Sequence, residues 1–121
     1  MPEKVLVNLA TGMEDQERVM IAFLVGGAAL EQGREVAMFL TKDAVHLAVP
    51  GTAQGEACEG CPPLERLFEQ FADGGGELLV CPICVTSRKL DPETFVGNAR
   101  VAGATPMWEW IGEGPSSVFS Y

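Results

Sequence analysis

The sequence predicts an α/β domain of three layers, in which helices cover both faces of a mostly parallel sheet of about five strands. Short apolar runs alternate with segments of helical periodicity along the chain. Glycine and proline separate most of these segments, as in short connections between strands and helices. A length of 121 residues fits one compact domain, so residues 1–121 are expected to fold as a unit.

The first strand–helix unit occupies residues 4–32. KVLVNLA is an apolar run that ends in the loop TGMED, and helical periodicity extends from Glu14 to Gln32. Acidic residues in the first turn and Gly33 after the last are helix start and stop signals. Apolar side chains surround most of this helix, which predicts burial on more than one side.

The second unit leads into a long loop. EVAMFL at 35–40 is a strand, and TKDAVHLAV at 41–49 is a short helix with Thr41 as its cap. The loop PGTAQGEACEGCPP, residues 50–63, consists largely of turn formers. Loops of this length in compact domains are often functional.

The second half of the chain repeats the alternation in shorter pieces. They are a helix at 63–73, a strand at 77–80, a short helix around 83–89, a helical turn at 92–98, a weak strand at 99–103, a helix from Pro106 and a last strand at 116–121. Proline at the start of the first of these helices and three glycines after it are further helix boundary signals.

Ligands of parallel α/β sheets bind beyond the carboxyl ends of the strands. Four loops should share this edge: residues 8–15, 41–43, 50–63 and 81–88. The chain's two cysteine pairs, Cys58 with Cys61 and Cys81 with Cys84, lie in two of these loops. We therefore expect the two pairs to be able to approach each other.

Composition excludes several classes of protein. Hydrophobic residues make up 47% and charged residues 21%, as in a soluble globular domain. No apolar run approaches the roughly 20 residues that cross a bilayer, and the first residues lack the pattern of a signal peptide. We therefore expect a cytoplasmic location, where thiols stay reduced, and metal or thiol chemistry more than disulfide staples for the cysteines.

The net charge and the length of the chain indicate which binding partners to expect. The net charge is −9, from 8 basic and 17 acidic residues, and no basic patch is visible. Nucleic acid and anionic membranes are therefore not expected partners. Because the core of such a short chain is small, a homo-oligomer is a reasonable expectation.

The first hypothesis for the cysteines is a zinc site. Two C-x2-C pairs are separated by the nineteen residues 62–80, a spacing typical of four-thiolate zinc sites. Such thiolates surround one tetrahedral ion, with each pair holding one side. The ligands would be Cys58, Cys61, Cys81 and Cys84. Zinc ribbons, however, place their pairs on small β units, whereas a helix intervenes here.

The second hypothesis is a reactive dithiol in CPIC, residues 81–84. Pro82 at the first helical position leaves Cys81 just before the helix, near unpaired backbone N–H groups. The helix dipole and the positive charge of Arg88 would stabilise a thiolate there, which is the reactive form of cysteine. A third explanation is packing, because free cysteine is often buried. Two pairs at one edge favour function over packing.

Three stretches carry a resemblance to a known family: TGMEDQER, GREVAMFLTKDAV and CPICVTSRKLDPETFVGNARVAGATPMWEWI. Over nearly its whole length the chain resembles the DsrE/DsrF-like family, which includes YchN-type proteins and the Tus sulfur-relay subunits. The resemblance implies a small cytosolic domain that assembles into trimers or hexamers. With the alternation of strands and helices, it predicts a flavodoxin-like, DsrE-type fold.

The resemblance also implies roles for two cysteines. Cys81 is the family-type cysteine, which in sulfur-relay members accepts sulfane sulfur as a persulfide, and Cys84 is a second cysteine that YchN-like members often carry. The CEGC segment departs from the family pattern. Its cysteines could hold a metal together with the first pair, which would block Cys81 as a nucleophile, or could supply a resolving thiol.

The leading hypothesis is a sulfurtransferase-like sulfur carrier that requires no cofactor. Cys81 would carry the persulfide, Cys84 would be a resolving or assisting thiol, and Arg88 an electrostatic aid to the thiolate. The partners would be a sulfur donor protein and an acceptor protein. The alternative is a non-catalytic, zinc-binding oligomer that uses all four cysteines, and a third possibility is an interaction subunit with inert cysteines.

Other distinctive residues have simpler explanations. The single histidine, His46, is expected to be packed or partly exposed rather than catalytic. Trp108 and Trp110 face different sides of a helix, so one should pack in the core while the other covers a subunit contact or a pocket rim. Glu14 and Asp15 would repel an anion, so ordinary helix capping explains NLATGMEDQER better than an anion site.

Overall fold

Five parallel strands form one sheet in the order β4-β3-β2-β1-β5. The computed structural model describes residues 3–121. The strands are β1 (Lys4–Leu9), β2 (Glu35–Leu40), β3 (Glu77–Val80), β4 (Ala99–Val101) and β5 (Ser116–Ser120). This architecture confirms the predicted α/β class with a parallel sheet of about five strands. The strand order differs from the 2-1-3-4-5 order of flavodoxin within the same layered arrangement.

Helices connect successive strands. They are α1 (Gln16–Glu31), α2 (Leu64–Asp73), α3 (Pro82–Ser87) and α4 (Ala104–Ile111). Short 3-10 helices occupy Met13–Asp15, Lys42–Ala48 and Pro92–Thr94. No helix within residues 3–121 is both long and apolar enough to span a membrane.

The strand order explains where the helices lie. Strands β1 to β4 follow one another across the sheet in one direction, and right-handed crossovers keep such connections on one face. The chain then returns from β4 to β5 at the opposite edge, so α4 crosses the other face. The larger core includes Phe23 of α1 and Phe71 of α2, whereas the smaller core includes Leu6, Leu79 and Ile111.

The first helix differs from its prediction. Val19 and Phe23 are buried against the sheet, but Ile21 and Leu24 are 41% and 44% exposed. Within this chain α1 is therefore buried on one side, and the prediction of burial on more than one side was wrong. Its predicted end at Gly33 is confirmed, since this glycine has a φ of 81° in the left-handed region.

Two other helices begin differently from expectation. The segment after β2 is a 3-10 helix. The Thr41 side chain makes no capping hydrogen bond, so the predicted cap is not formed. Helix α4 begins at Ala104, two residues before Pro106. A proline in the first turn is tolerated because the N–H groups of that turn have no partner within the helix.

Candidate functional site

Cys81 lies where β3 ends and α3 begins. Its backbone N–H donates to the carbonyl oxygen of Leu40 at 3.0 Å, which continues the pairing of β3 with β2 by one residue. The following Pro82 is the first residue of α3, so Cys81 is the residue before the helix, as predicted. Its thiol is free and half-buried, and it makes no capping hydrogen bond with the helix.

The sulfur of Cys84 has a backbone donor from another connection of the sheet. The N–H of Lys42, two residues beyond the end of β2, donates to Cys84 Sγ at 3.2 Å. Lys42 itself has a φ of 51°, in the left-handed region that favours glycine. Sequence reasoning missed Lys42 as a site residue. The only signal was the placement of residues 41–43 and 81–88 at one sheet edge.

Arg88 is engaged in an ion pair with Asp43. The Nε and Nη2 atoms of Arg88 lie 3.1 and 3.0 Å from Asp43 Oδ1. Its Nη1 atom donates to the carbonyl oxygen of Cys84 at 3.4 Å. The charge predicted to aid a thiolate is thus shared with a carboxylate. The guanidinium joins the end of α3 to the 3-10 helix after β2.

The loop after β1 completes this edge of the sheet. Gly12 lies so close to the 3-10 helix that a Cβ atom built on it would be 2.5 Å from the carbonyl oxygen of Asp43. A side chain does not fit there. The acidic residues of this loop cap backbone groups, because Glu14 accepts from the Gly12 N–H at 2.8 Å and Asp15 from the Arg18 N–H at 3.1 Å. The capping interpretation is therefore confirmed.

The single histidine and the two tryptophans lie outside the cysteine site. His46 is half-buried, and its Nδ1 atom donates to the carbonyl oxygen of Asp43 at 3.1 Å, a local contact within the 3-10 helix. Trp110 packs against the smaller core, and Lys4 Nζ lies 5.1 Å from the centre of its ring. Trp108 is 66% exposed, and its coverage by a subunit contact stays a prediction.

Cys58 and Cys61 form a disulfide bond with each other. The expectation that the four cysteines serve metal or thiol chemistry rather than acting as disulfide staples stays a prediction. A sulfur bonded to another sulfur is not a thiolate ligand, so the predicted zinc set with Cys81 and Cys84 is not assembled. Within residues 3–121, no group of three or more His, Cys, Asp or Glu side chains is arranged to hold a metal ion.

The edge of the sheet thus presents two free thiols, Cys81 just before α3 and Cys84 within it. The sequence of the chain matches the model of the DsrE/DsrF-like family over residues 3–118. The chain belongs to the DsrE/DsrF-like family. Sulfur relay is the general role that this membership suggests.

This DsrE/DsrF-like chain is similar to one further protein in sequence and to two solved structures in fold. The uncharacterized protein MK0008 of Methanopyrus kandleri is 31% identical over 104 residues, which cover 86% of this chain and 83% of that protein. The crystal structure of the YchN protein from E. coli superposes with a TM-score of 0.80, at 17% identity and with both chains fully covered, 100% each. A Bacteroides thetaiotaomicron protein of unknown function, BT1422, has a TM-score of 0.56 at 14% identity, over 98% and 95% of the two chains. These two structures show the shared fold.

Proposed function

We propose that the chain is a sulfane-sulfur carrier, in which Cys81 accepts a sulfur atom as a persulfide and Cys84 assists its release. The observation that carries the proposal is the hydrogen bond from the Lys42 N–H to the Cys84 sulfur, beside a second free thiol. This backbone donor positions the Cys84 sulfur at the sheet edge, one helical turn from Cys81. The thiolate is the nucleophilic form of cysteine. Family membership supports sulfur relay as the general role.

Sulfur transfer to Cys81 is a balanced exchange. The Cys81 thiolate attacks the outer sulfur of a donor persulfide, R–S–SH, the S–S bond breaks, and the donor leaves as R–S⁻. An acceptor thiolate takes the outer sulfur from Cys81 in the same way. In a competing release step, the Cys84 thiolate attacks the inner sulfur, which forms a Cys81–Cys84 disulfide and releases hydrosulfide. Donor and acceptor proteins would supply and receive the sulfur in a reducing, cytoplasmic setting.

The test is transfer of labelled sulfur from glutathione persulfide, with the modified residue located by peptide mass spectrometry. Wild-type protein and a control with both Cys58→Ser and Cys61→Ser should gain sulfur on Cys81. Cys81→Ser should lose this gain, and Cys84→Ser should gain sulfur but keep it longer. Acceptance of sulfur by Cys81→Ser at the wild-type rate would sink the assignment.

The zinc-binding alternative needs a different arrangement of sulfurs. It is less well supported because Cys58 and Cys61 are bonded to each other. It requires that reduction of this bond let all four cysteines converge, and it predicts about one zinc per chain in reduced protein purified without added metal. Thiols would then react only after chelation. Metal-free reduced protein whose thiols react at once would exclude this alternative.

We also propose that the chain forms the homo-oligomer, a trimer or hexamer, that the family resemblance implies. The edge strand β5 leaves Val118 56% exposed and Phe119 43% exposed, and Phe119 lines a groove with Val25 and Ala28 of α1. Exposed apolar edge strands are surfaces that proteins usually cover. Val118→Asp should therefore shift the assembly toward monomers in light scattering, whereas Ser116→Asp on the same strand should not. An unchanged assembly of Val118→Asp would contradict this proposal.

A further inference from the structure

The two cysteines of the CEGC segment lie at the ends of one tight turn. The Cys61 N–H donates to the Cys58 carbonyl oxygen at 3.0 Å. Gly60, the third residue of the turn, has a φ of 84°, as a type II turn requires at that position. The Cα atoms of the two cysteines are 5.2 Å apart, within the range that disulfides span. The turn therefore keeps both sulfurs within bonding reach.

The Cys58–Cys61 disulfide adds little as a structural cross-link. It encloses only Glu59 and Gly60, and the entropy that a cross-link removes from the unfolded chain is smallest for the shortest rings. Contacts that do not involve sulfur already hold the surrounding loop. Glu56 pairs with Pro63 in an antiparallel bridge, and the Leu64 N–H donates to Gly55 at 3.0 Å. None of these contacts involves a cysteine side chain.

The pair is also accessible to an external thiol. Cys58 and Cys61 are half-buried, and the two residues between them, Glu59 and Gly60, are exposed. Thiol–disulfide exchange requires such access, and C-x-x-C is the spacing that exchange proteins use. In the same chain the Cys81 and Cys84 sulfurs are not bonded to each other, so only the CEGC pair is joined.

We propose that Cys58 and Cys61 form a second site, a redox-active dithiol–disulfide pair whose substrate class is a dithiol reductant. One reductant thiolate attacks a sulfur of the Cys58–Cys61 bond and forms a mixed disulfide, and the second reductant thiol displaces it. The protein gains two thiols, and the reductant becomes a disulfide, so two electrons and two protons reach the protein. Because contacts outside the turn hold the surrounding loop, the exchange is reversible in the folded protein, whereas the turn itself is constrained only while the disulfide is formed.

The test is a redox titration of the folded protein with reduced and oxidised dithiothreitol, followed by acid trapping, alkylation and peptide mass spectrometry. Cys58 and Cys61 should convert together between disulfide and dithiol, with unchanged circular dichroism. The double variant Cys81→Ser, Cys84→Ser should give the same titration, so this result is separable from failure of the sulfur-carrier proposal. The inference is overturned if the pair stays reduced at every ratio, or if the disulfide opens only after denaturation.

A matched pair of glycine variants tests the role of the turn. Gly60 and Gly55 have similar φ values, 84° and 80°, and a Cβ atom on either would meet nothing within 4 Å. Only Gly60 lies inside the disulfide ring. The left-handed conformation penalises alanine, so Gly60→Ala should lower the equilibrium constant for disulfide formation about fivefold or more. Gly55→Ala should leave it unchanged, and equal effects of the two variants would contradict the inference.

Discussion

The two C-x-x-C segments of this chain share a spacing but differ in backbone conformation, in hydrogen-bond partners and in whether their sulfurs are bonded to each other. In CPIC, Pro82 takes the first helical position, because its fixed φ and missing N–H suit the start of a helix. In CEGC, Gly60 adopts a φ of 84° and closes a turn. The first pair is free, and the second is a disulfide. The two residues between the cysteines thus give each pair a different local backbone.

The two cysteine pairs differ in how far along the sequence the partners of their sulfur atoms lie. The Cys58 sulfur is bonded to a residue three positions away, so its environment is local. The Cys84 sulfur accepts from Lys42, which lies 42 positions away along the chain. The contact between the Cys58 and Cys61 sulfurs depends on their own turn. The contact of the Cys84 sulfur with Lys42 depends on the alignment of β2 with β3. Changes far from the cysteines should therefore affect one pair and spare the other.

The largest expected effect comes from exchanging the residues between the cysteines. The double variant Glu59→Pro, Gly60→Ile places a β-branched residue at a φ of 84°. The left-handed region costs such a residue about 2 kcal/mol, which lowers disulfide formation about thirtyfold at a fixed dithiol ratio. Alkylation and mass spectrometry measure the disulfide fraction.

The reciprocal variant, Pro82→Glu with Ile83→Gly, should allow Cys81 and Cys84 to pair more readily. Ile83 is 78% exposed, so its replacement removes little packing. If neither double variant changed the oxidation state of its pair, the explanation from the intervening residues would fail.

Gly12→Ala should destabilise the fold and change the surroundings of the Cys84 sulfur. The new Cβ atom would lie 2.5 Å from the carbonyl oxygen of Asp43, so the backbone must shift. Overpacking of this kind costs about 1–3 kcal/mol of unfolding free energy, measurable by urea denaturation. The alkylation rate of Cys84 should change as well, while the Cys58–Cys61 titration should not.

Gly27→Ala is the control for this substitution, because Gly27 lies in α1 with open space around its Cα atom. Replacing a helical glycine by alanine should stabilise the chain by about 0.5–1 kcal/mol. Equal unfolding free energies for the two variants would contradict the close approach of Gly12 to Asp43.

Arg88→Ala should have a smaller effect. The side chains of Arg88 and Asp43 are 26% and 50% exposed, so solvent screening limits their ion pair to about 1 kcal/mol. The loss should loosen the contact between α3 and the 3-10 helix, and amide exchange at Lys42 should accelerate about fivefold. Arg100→Ala, which removes a longer and more exposed pair with Glu77, should leave exchange at Lys42 unchanged. Unchanged exchange in Arg88→Ala would show that the guanidinium does not position this site.

The smallest effect is expected for the hydrogen bond to the Cys84 sulfur. A serine hydroxyl can still accept from the Lys42 N–H, whereas alanine cannot. Cys84→Ala should therefore be less stable than Cys84→Ser by about 0.5 kcal/mol in urea unfolding. A Cys84→Ala variant as stable as Cys84→Ser would indicate that the hydrogen bond contributes nothing to folding.

Much of the fold could be predicted from local patterns. The apolar runs gave the five strands, and the proline of CPIC placed Cys81 just before a helix. Strand ends indicated that the loops carrying Lys42 and Cys84 share an edge. The disulfide of CEGC was missed because C-x-x-C spacing alone fits a metal site, a dithiol and a disulfide equally well. The decisive residue, Gly60, acts through a backbone angle that spacing does not contain.

The sequence by itself determined the α/β class, the order of elements and the position of Cys81, because periodicity, proline and glycine act over a few residues. Only the tertiary structure decided which groups meet at the sheet edge. The Lys42 N–H reaches Cys84, and Arg88 pairs with Asp43 rather than with a thiolate. These contacts depend on how parallel strands align across the sheet. That alignment is set by packing of the whole core, and no local stretch of sequence encodes it.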